Sequence, residues 1–265
     1  MIQLIASDLD GTILQDDAQT VSPRMMELIM ELKQKGIRFA AASGRQYSNL
    51  RRLFEPIKDE ISYIAENGSL CIHKGQVLSR GIIERELGLE ILDSVKEYGK
   101  CDCFLSCESG GYMDSGNPEF IRHMTEVVKF DIRQVDSLKD IHEPFLKIAV
   151  CSFSGTRDMA PFFKERFRGR INVVTSGNLW VDFIAPGANK GAALSNLLAH
   201  LDIQAKDCIA FGDQYNDVEM LQLAGASYAM SNAAPGIAYY STYVTDSVEE
   251  VLEDLAASVG KEIRG

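Results

Sequence analysis

The chain has 265 residues, 46% of them hydrophobic, which is enough apolar material for one large domain or two smaller ones. Its formal net charge of -11 argues against nucleic acid or a membrane surface as the main partner, because both attract clustered Lys and Arg; a small anionic substrate needs only a local positive site. With no apolar run of membrane-spanning length and no basic leader followed by an apolar segment, the expectation is a cytoplasmic protein, monomeric or weakly homo-oligomeric, without nucleic-acid or membrane partners.

The first element is a short apolar strand, Leu4-Ile5-Ala6-Ser7, which delivers Asp8 and Asp10 where the backbone leaves the sheet, with Gly11 to turn the chain and Thr12 beyond it. Two acids two residues apart repel each other unless a cation lies between them, so their pairing at a strand end suggests a divalent ion with oxygen ligands. The plain alternative is a loop start, where Asp is common. Ser22-Pro23 then signals a helix whose apolar residues Met25, Leu28, Ile29 and Leu32 recur at helical spacing until Gly36.

A second apolar strand over residues 37–42 ends in Ser43-Gly44-Arg45, and a third over 63–65 leads into Glu66-Asn67-Gly68. Strand and helix alternating in this way predict a parallel sheet covered on both faces. From about residue 84 the texture changes. A helical stretch, strand-like runs at 103–106 and 112–114 around Ser109-Gly110-Gly111, a helix near 119–127, a strand at 147–152, a helix at 157–167, and runs at 171–175 and 179–184 around Ser176-Gly177-Asn178 describe an α+β unit built on hairpins. Pro186-Gly187 reads as a hinge back to the first texture. A helix with Leu194, Leu197, Leu198 and Leu201 follows, then the strand 208–211, the turn Gly212-Asp213-Gln214-Tyr215-Asn216-Asp217 and a helix stopping at Gly225. Short strands at 227–230 and 243–245 and a helix at 248–255 complete the pattern.

The six cysteines include no Cys-x-x-Cys, and Cys101, Cys103 and Cys107 share one strand parity, so buried reduced thiols are expected rather than a zinc site. Three more places carry possible chemistry. Ser43 ends a strand beside Gly44, where a hydroxyl and nearby N–H groups hold a phosphate oxygen or simply form a turn. Asp213 ends another, with Asn216 and Asp217 placed to cap the next helix, to line a site, or both. Lys190 stands in the first turn of a helix, where the macrodipole disfavours a cation. An anion nearby would explain it, and a solvated lysine would cost at most about 1 kcal/mol.

Taken together, Asp8-Leu9-Asp10-Gly11-Thr12, Ser43-Gly44-Arg45, Asn189-Lys190-Gly191 and Gly212-Asp213-x-x-Asn216-Asp217 occur in the order of the four motifs of the haloacid dehalogenase-like phosphatases. The resemblance runs over nearly the whole chain, and the insertion between the second and third motifs is similar to the α/β cap of the Cof-type subgroup. Gln214 departs from the smaller polar residue of many relatives. The resemblance implies an α/β fold, a Rossmann-like doubly wound parallel core over residues 1–83 and 184–265, with an α+β cap domain over 84–183 serving as a lid hinged near Gly81 and Pro186-Gly187.

By the same resemblance Asp8 is the nucleophile that forms an aspartyl-phosphate, and Asp10 protonates the leaving oxygen and then activates water. Magnesium is held by Asp8, the main-chain carbonyl of Asp10 and Asp213. Ser43 and Lys190 hold the remaining phosphoryl oxygens, and Asn216 and Asp217 orient the metal's shell or Lys190. Leu9, Gly11, Thr12, Gly44, Arg45, Asn67 and Asn189 are expected among the phosphate or substrate contacts, with the Asn178-Leu179-Trp180 hairpin a further candidate for specificity. Dehalogenases lack a counterpart of Asp10, and P-type ATPases follow the nucleophile with Lys-Thr-Gly-Thr, so a phosphatase or mutase is favoured, and by family analogy the large cap favours a phosphatase of small phosphate esters. A phosphomutase or a non-enzymatic phosphate-binding module stands as the alternative.

Overall fold

A computed structural model describes residues 1–15, 18–176 and 178–262; Gly177, in the second expected hairpin turn, lies outside the described residues. The strands and helices follow in the order β1 (Leu4–Ser7), α1 (Pro23–Gln34), β2 (Arg38–Ala42), α2 (Tyr47–Leu53), β3 (Ser62–Ala65), β4 (Leu70–His73), β5 (Gln76–Arg80), α3 (Arg85–Tyr98), β6 (Asp102–Cys107) and β7 (Gly110–Met113). They continue with α4 (Pro118–Arg122), β8 (Ile132–Gln134), β9 (Lys147–Cys151), α5 (Met159–Arg166), β10 (Asn172–Ser176), β11 (Trp180–Ile184), α6 (Lys190–Leu201), β12 (Cys208–Gly212), α7 (Val218–Leu223), β13 (Ala226–Met230), β14 (Tyr243–Thr245) and α8 (Val248–Glu262). No described helix is long and apolar enough to cross a membrane.

The chain divides into two compact units, one of residues 1–43, 50–79 and 189–265, the other of 44–49 and 80–188. In the first, the described strands form a sheet in the order β14-β13-β12-β1-β2-β3-β4-β5. Strands β14 to β3 run parallel, and β4 joins β3 antiparallel. The runs at 4–7, 39–42 and 208–212 have no polar alternation because these strands are covered on both faces there, whereas Arg38, which opens β2, is exposed. Leu4, Ala6, Ala40, Ala42 and Ala210 pack with Leu194, Leu197 and Leu198 of α6, while α1 packs against β2 and α8.

Helix α1 shows how local chemistry sets an element. The Ser22 hydroxyl accepts from the Met25 N–H at 2.9 Å, Pro23 occupies the first turn, and Met25, Leu28, Ile29 and Leu32 are the buried residues. The Ser22 hydroxyl also bonds the Glu249 carboxylate of α8. Ser22→Ala is therefore expected to lower stability by about 1 kcal/mol, read as a shift of the urea midpoint at constant slope. A midpoint equal to the parent's would remove the cap from the account.

In the second unit the described strands lie in the order β10-β11-β9-β6-β7-β8, antiparallel except for β7 with β8. One face packs Leu105, Ile148, Val150, Val181 and Phe183 against Ile91 and Val95 of α3 and Phe163 of α5. The other packs Phe104, Ala149 and Cys151 against Phe120 and Met124. All six cysteines are free thiols, and burial pushes the thiol of Cys103 well up from its ordinary value. Two features escape the sequence patterns. The hairpin β4–β5 turns on Lys74 and Gly75, both with positive φ (+49° and +75°), and β8 is a three-residue, largely exposed edge strand.

Candidate active site

Strand register brings distant motifs together. Strand β1 pairs in parallel with β12, Ser7 opposite Phe211, so Asp8 and Asp213 leave neighbouring strands at the same end. Strand β2 lies on the other side of β1, Ser7 opposite Ala41, and Ser43 follows at that end too. Open parallel sheets leave their ligand crevice at these carboxyl ends.

Lys190 is fully buried at the start of α6, where Asn189 caps the helix by accepting the Ala192 N–H at 2.7 Å. Its ammonium donates to the Asp8 carboxylate and, at 2.6 Å, to Asp217. The cation at a helix N-terminus is thus answered by two carboxylates. Burial alone would lower its pKa, but Asp217 and Asp8 outweigh burial and hold it above lysine's ordinary value.

Carboxylate oxygens of Asp8, Asp213 and Asp217 lie within 4.8 Å of one another, all three residues buried. Burial, then Asp217, raises the pKa of Asp8 well above the usual carboxylate range against the pull of Lys190, and burial and Asp217 raise that of Asp213. Three carboxylates and one ammonium carry two uncompensated negative charges if all ionise. A divalent cation with a preference for oxygen would balance them and return both acids to the ionised form, so the donor set fits magnesium. Gly11 makes the close approach possible. With φ of +87°, it lies where a Cβ would fall 2.8 Å from the Asp213 carboxyl carbon.

The other expected residues take definite places. Thr12 donates its hydroxyl to Asp213 at 2.9 Å, and its N–H, like that of Leu14, bonds the Leu9 carbonyl, closing the turn after β1. The Gly11 N–H donates to the Leu14 carbonyl at 2.8 Å. Asp10 is exposed, with the Ser43 hydroxyl 3.5 Å from its carboxylate; that carboxylate is not in the acidic cluster, so the metal role expected of Asp10 rests on its main-chain carbonyl. Asp217 accepts Lys190 on one oxygen and the N–H groups of Asp213 and Gln214, each at 3.0 Å, on the other, which braces the turn after β12. Asn216 donates its amide to the Asn67 side chain at 3.0 Å. Asn189 uses its side-chain oxygen as the helix cap. Gly44 and Arg45 group with the second unit, where Arg45 donates to Asn49 at 3.1 Å.

Two polar residues that no motif singles out bond to the main chain of motif residues. Asn232 donates to the Gly11 carbonyl at 3.0 Å. Lys147, buried on β9, donates to the Gly44 carbonyl at 2.6 Å and lies 3.7 Å from the buried carboxylate of Asp182. A charged residue opening the apolar strand Lys-Ile-Ala-Val-Cys was the available signal for Lys147. In the second unit a cavity of about 220 Å³, lined by Leu92, Val95, Lys96, Cys103, Asp114 and Leu138 among others, includes no motif residue.

The haloacid dehalogenase-like hydrolase family matches residues 5–253. The chain is 28% identical to the 5-amino-6-(5-phospho-D-ribitylamino)uracil phosphatase YbjI of Escherichia coli (strain K12), over 95% of this chain and 97% of that protein. It is 30% identical to the HMP-PP phosphatase of Cronobacter sakazakii, over 89% and 86% of the two. Among solved structures, SMU.1108c from Streptococcus mutans UA159 superposes with a TM-score of 0.86 at 29% identity, covering 97% of this chain and 100% of that one.

Proposed function

Because the chain belongs to the haloacid dehalogenase-like hydrolases, we propose that it is a magnesium-dependent phosphatase that hydrolyses small soluble phosphomonoesters through an aspartyl-phosphate on Asp8. The observation that carries this reading is the buried grouping of Lys190 with Asp8, Asp213 and Asp217 at the carboxyl ends of adjacent strands. It combines a carboxylate nucleophile, a fixed cation and a place for a divalent ion, which are the parts phosphoryl transfer needs.

In the first step an oxygen of Asp8 attacks phosphorus, the bond to the leaving oxygen breaks, and Asp10 gives that oxygen its proton. In the second, Asp10 takes a proton from water as the water oxygen attacks phosphorus, the bond to Asp8 breaks, and inorganic phosphate departs. Ser43 and Lys190 hold the non-bridging oxygens as charge redistributes, and Asp217 keeps the Lys190 ammonium aimed. Asp8, Asp213 and the Asp10 carbonyl would hold magnesium, which supplies charge neutralisation and polarises the phosphoryl group.

The relatives support the substrate class, one of them being named for a phosphorylated ribitylaminouracil. A sugar phosphate or phosphorylated cofactor is the expected substrate. Two measurements test the proposal. Chelation should abolish turnover of a generic aryl phosphate and magnesium add-back should restore it; full activity in demonstrably metal-free protein would remove the metal roles. Across a panel, kcat/KM should be highest for small phosphate esters, and equal efficiency on a folded phosphoprotein would overturn the substrate class.

A further inference from the structure

The segment after β3 is the most strained stretch of backbone near the site. Glu66, Asn67 and Gly68 have φ of +52°, +56° and +92° in succession, and all three are buried. Left-handed conformations cost energy for residues with a side chain, so two in sequence persist only where the surroundings over-determine them. Here the surroundings are three of the four motif segments. The Asn67 N–H donates to the Ser43 carbonyl at 3.1 Å, and Ser43 in turn donates its own N–H to the Ile64 carbonyl at 2.8 Å, so Ser43 is held from both sides by the end of β3. The Asn67 side-chain oxygen accepts the Asn216 amide at 3.0 Å. Gly68 lies flush against the peptide that opens α6: a Cβ there would fall 2.8 Å from the main-chain nitrogen of Lys190 and closer still to the Asn189 carbonyl.

We infer that this turn is a positioning element, and that Asn67 is a positioning residue acting on the reaction through Asn216 and Ser43. The inference rests on the phosphatase reading above. Ser43, Lys190 and Asn216 come from three segments far apart in sequence, and one turn touches all three. The strain is the cost of that geometry: an extended or right-handed backbone at Asn67 would send its N–H and its side chain in other directions.

The test is Asn67→Gly, alone and combined with Asn216→Ala, with kcat, KM and Tm measured on a generic aryl phosphate. Glycine accepts the left-handed backbone and keeps the main-chain bond to Ser43 while deleting the side chain. The expected result is a Tm no lower than the parent's, a kcat lower by about tenfold to a hundredfold, KM within about twofold, and a double variant no slower than the slower single variant. A kcat within about twofold of the parent's, or losses in kcat that multiply in the double variant, overturns the inference. Absence of turnover in the parent protein would instead strike the phosphatase reading, so the two failures are distinguishable.

Discussion

Asp8→Asn is expected to fold as the parent does and to lose turnover by about 10³-fold or more, because an amide nearly matches the carboxylate in shape but cannot attack phosphorus. The same substitution has a second expected effect, on stability. Asp8 is buried, and burial together with Asp217 and Asp213 raises its pKa despite Lys190. An acid whose folded pKa stands above its unfolded value binds its proton more tightly when folded, so its ionisation subtracts stability as pH rises from the unfolded value upward. The neutral amide removes that cost, and its oxygen can still accept the Lys190 ammonium. Metal-free Asp8→Asn should therefore be at least as stable as the parent near neutral pH, with the advantage shrinking as pH falls to about 4. Steady-state kinetics and thermal unfolding on one preparation check both parts. Activity near the parent's would falsify the nucleophile role.

Lys190→Met is the second large effect. It leaves the carboxylates of Asp8, Asp213 and Asp217 gathered in a buried place with no internal cation. Removing one partner of a buried ion pair typically costs about 3–5 kcal/mol, and losing a preorganised donor to developing charge typically costs about 10²–10³ in kcat. Both losses are expected here. The pH dependence gives the check its direction: without Lys190 the pKa values of Asp8 and Asp213 rise further, so the stability gap to the parent should be widest near about pH 8 and narrow towards about pH 5, as the carboxylates take up protons. Added magnesium should recover part of the gap by binding the folded state. A gap independent of pH and of magnesium would show that Lys190 acts only by filling space.

The contrast between the two variants follows from their opposite effects on one charge cluster. Asp8→Asn removes a negative charge from it, and Lys190→Met removes the positive charge that answers it. Both are expected to destroy activity while moving metal-free stability in opposite directions. Simple unfolding could not produce that pattern.

Much of this was legible in the sequence because it depends on local chemistry. The apolar residues at 4–6 and 208–211 predict buried strands, since a run without alternating polar residues fits a strand covered on both faces, and Ser22-Pro23 followed by apolar residues at helical spacing predicts α1 with the buried residues observed. Lys190 broke a local rule, a cation in the first turn of a helix, and that violation offered either an anion nearby or a solvated lysine, between which the structure decides. The hairpin β4–β5 was not legible, because Lys74-Gly75 is a weak turn signal and the left-handed φ of Lys74 is imposed by pairing rather than by its own preference.

Sequence by itself therefore determined most of the elements and their order, the hairpin β4–β5 and the edge strand β8 excepted, and the carboxylates, hydroxyl and ammonium set at their ends, because hydrophobic period and turn chemistry act between residues a few positions apart. Which of those groups meet was decided only by the tertiary structure. Strand register brought Asp8 beside Asp213, and the approach of α6 seated Lys190 between Asp8 and Asp217. It also gave Asn67 a place the sequence had not specified, since a residue expected only as a substrate contact joins Ser43 through its main-chain N–H to Asn216 through its side chain, in a backbone conformation that only dense packing can hold. The physical reason is range: a pKa, a buried ion pair or a strained turn is set by whatever lies within a few ångströms, and for these residues those neighbours lie in segments far away along the chain.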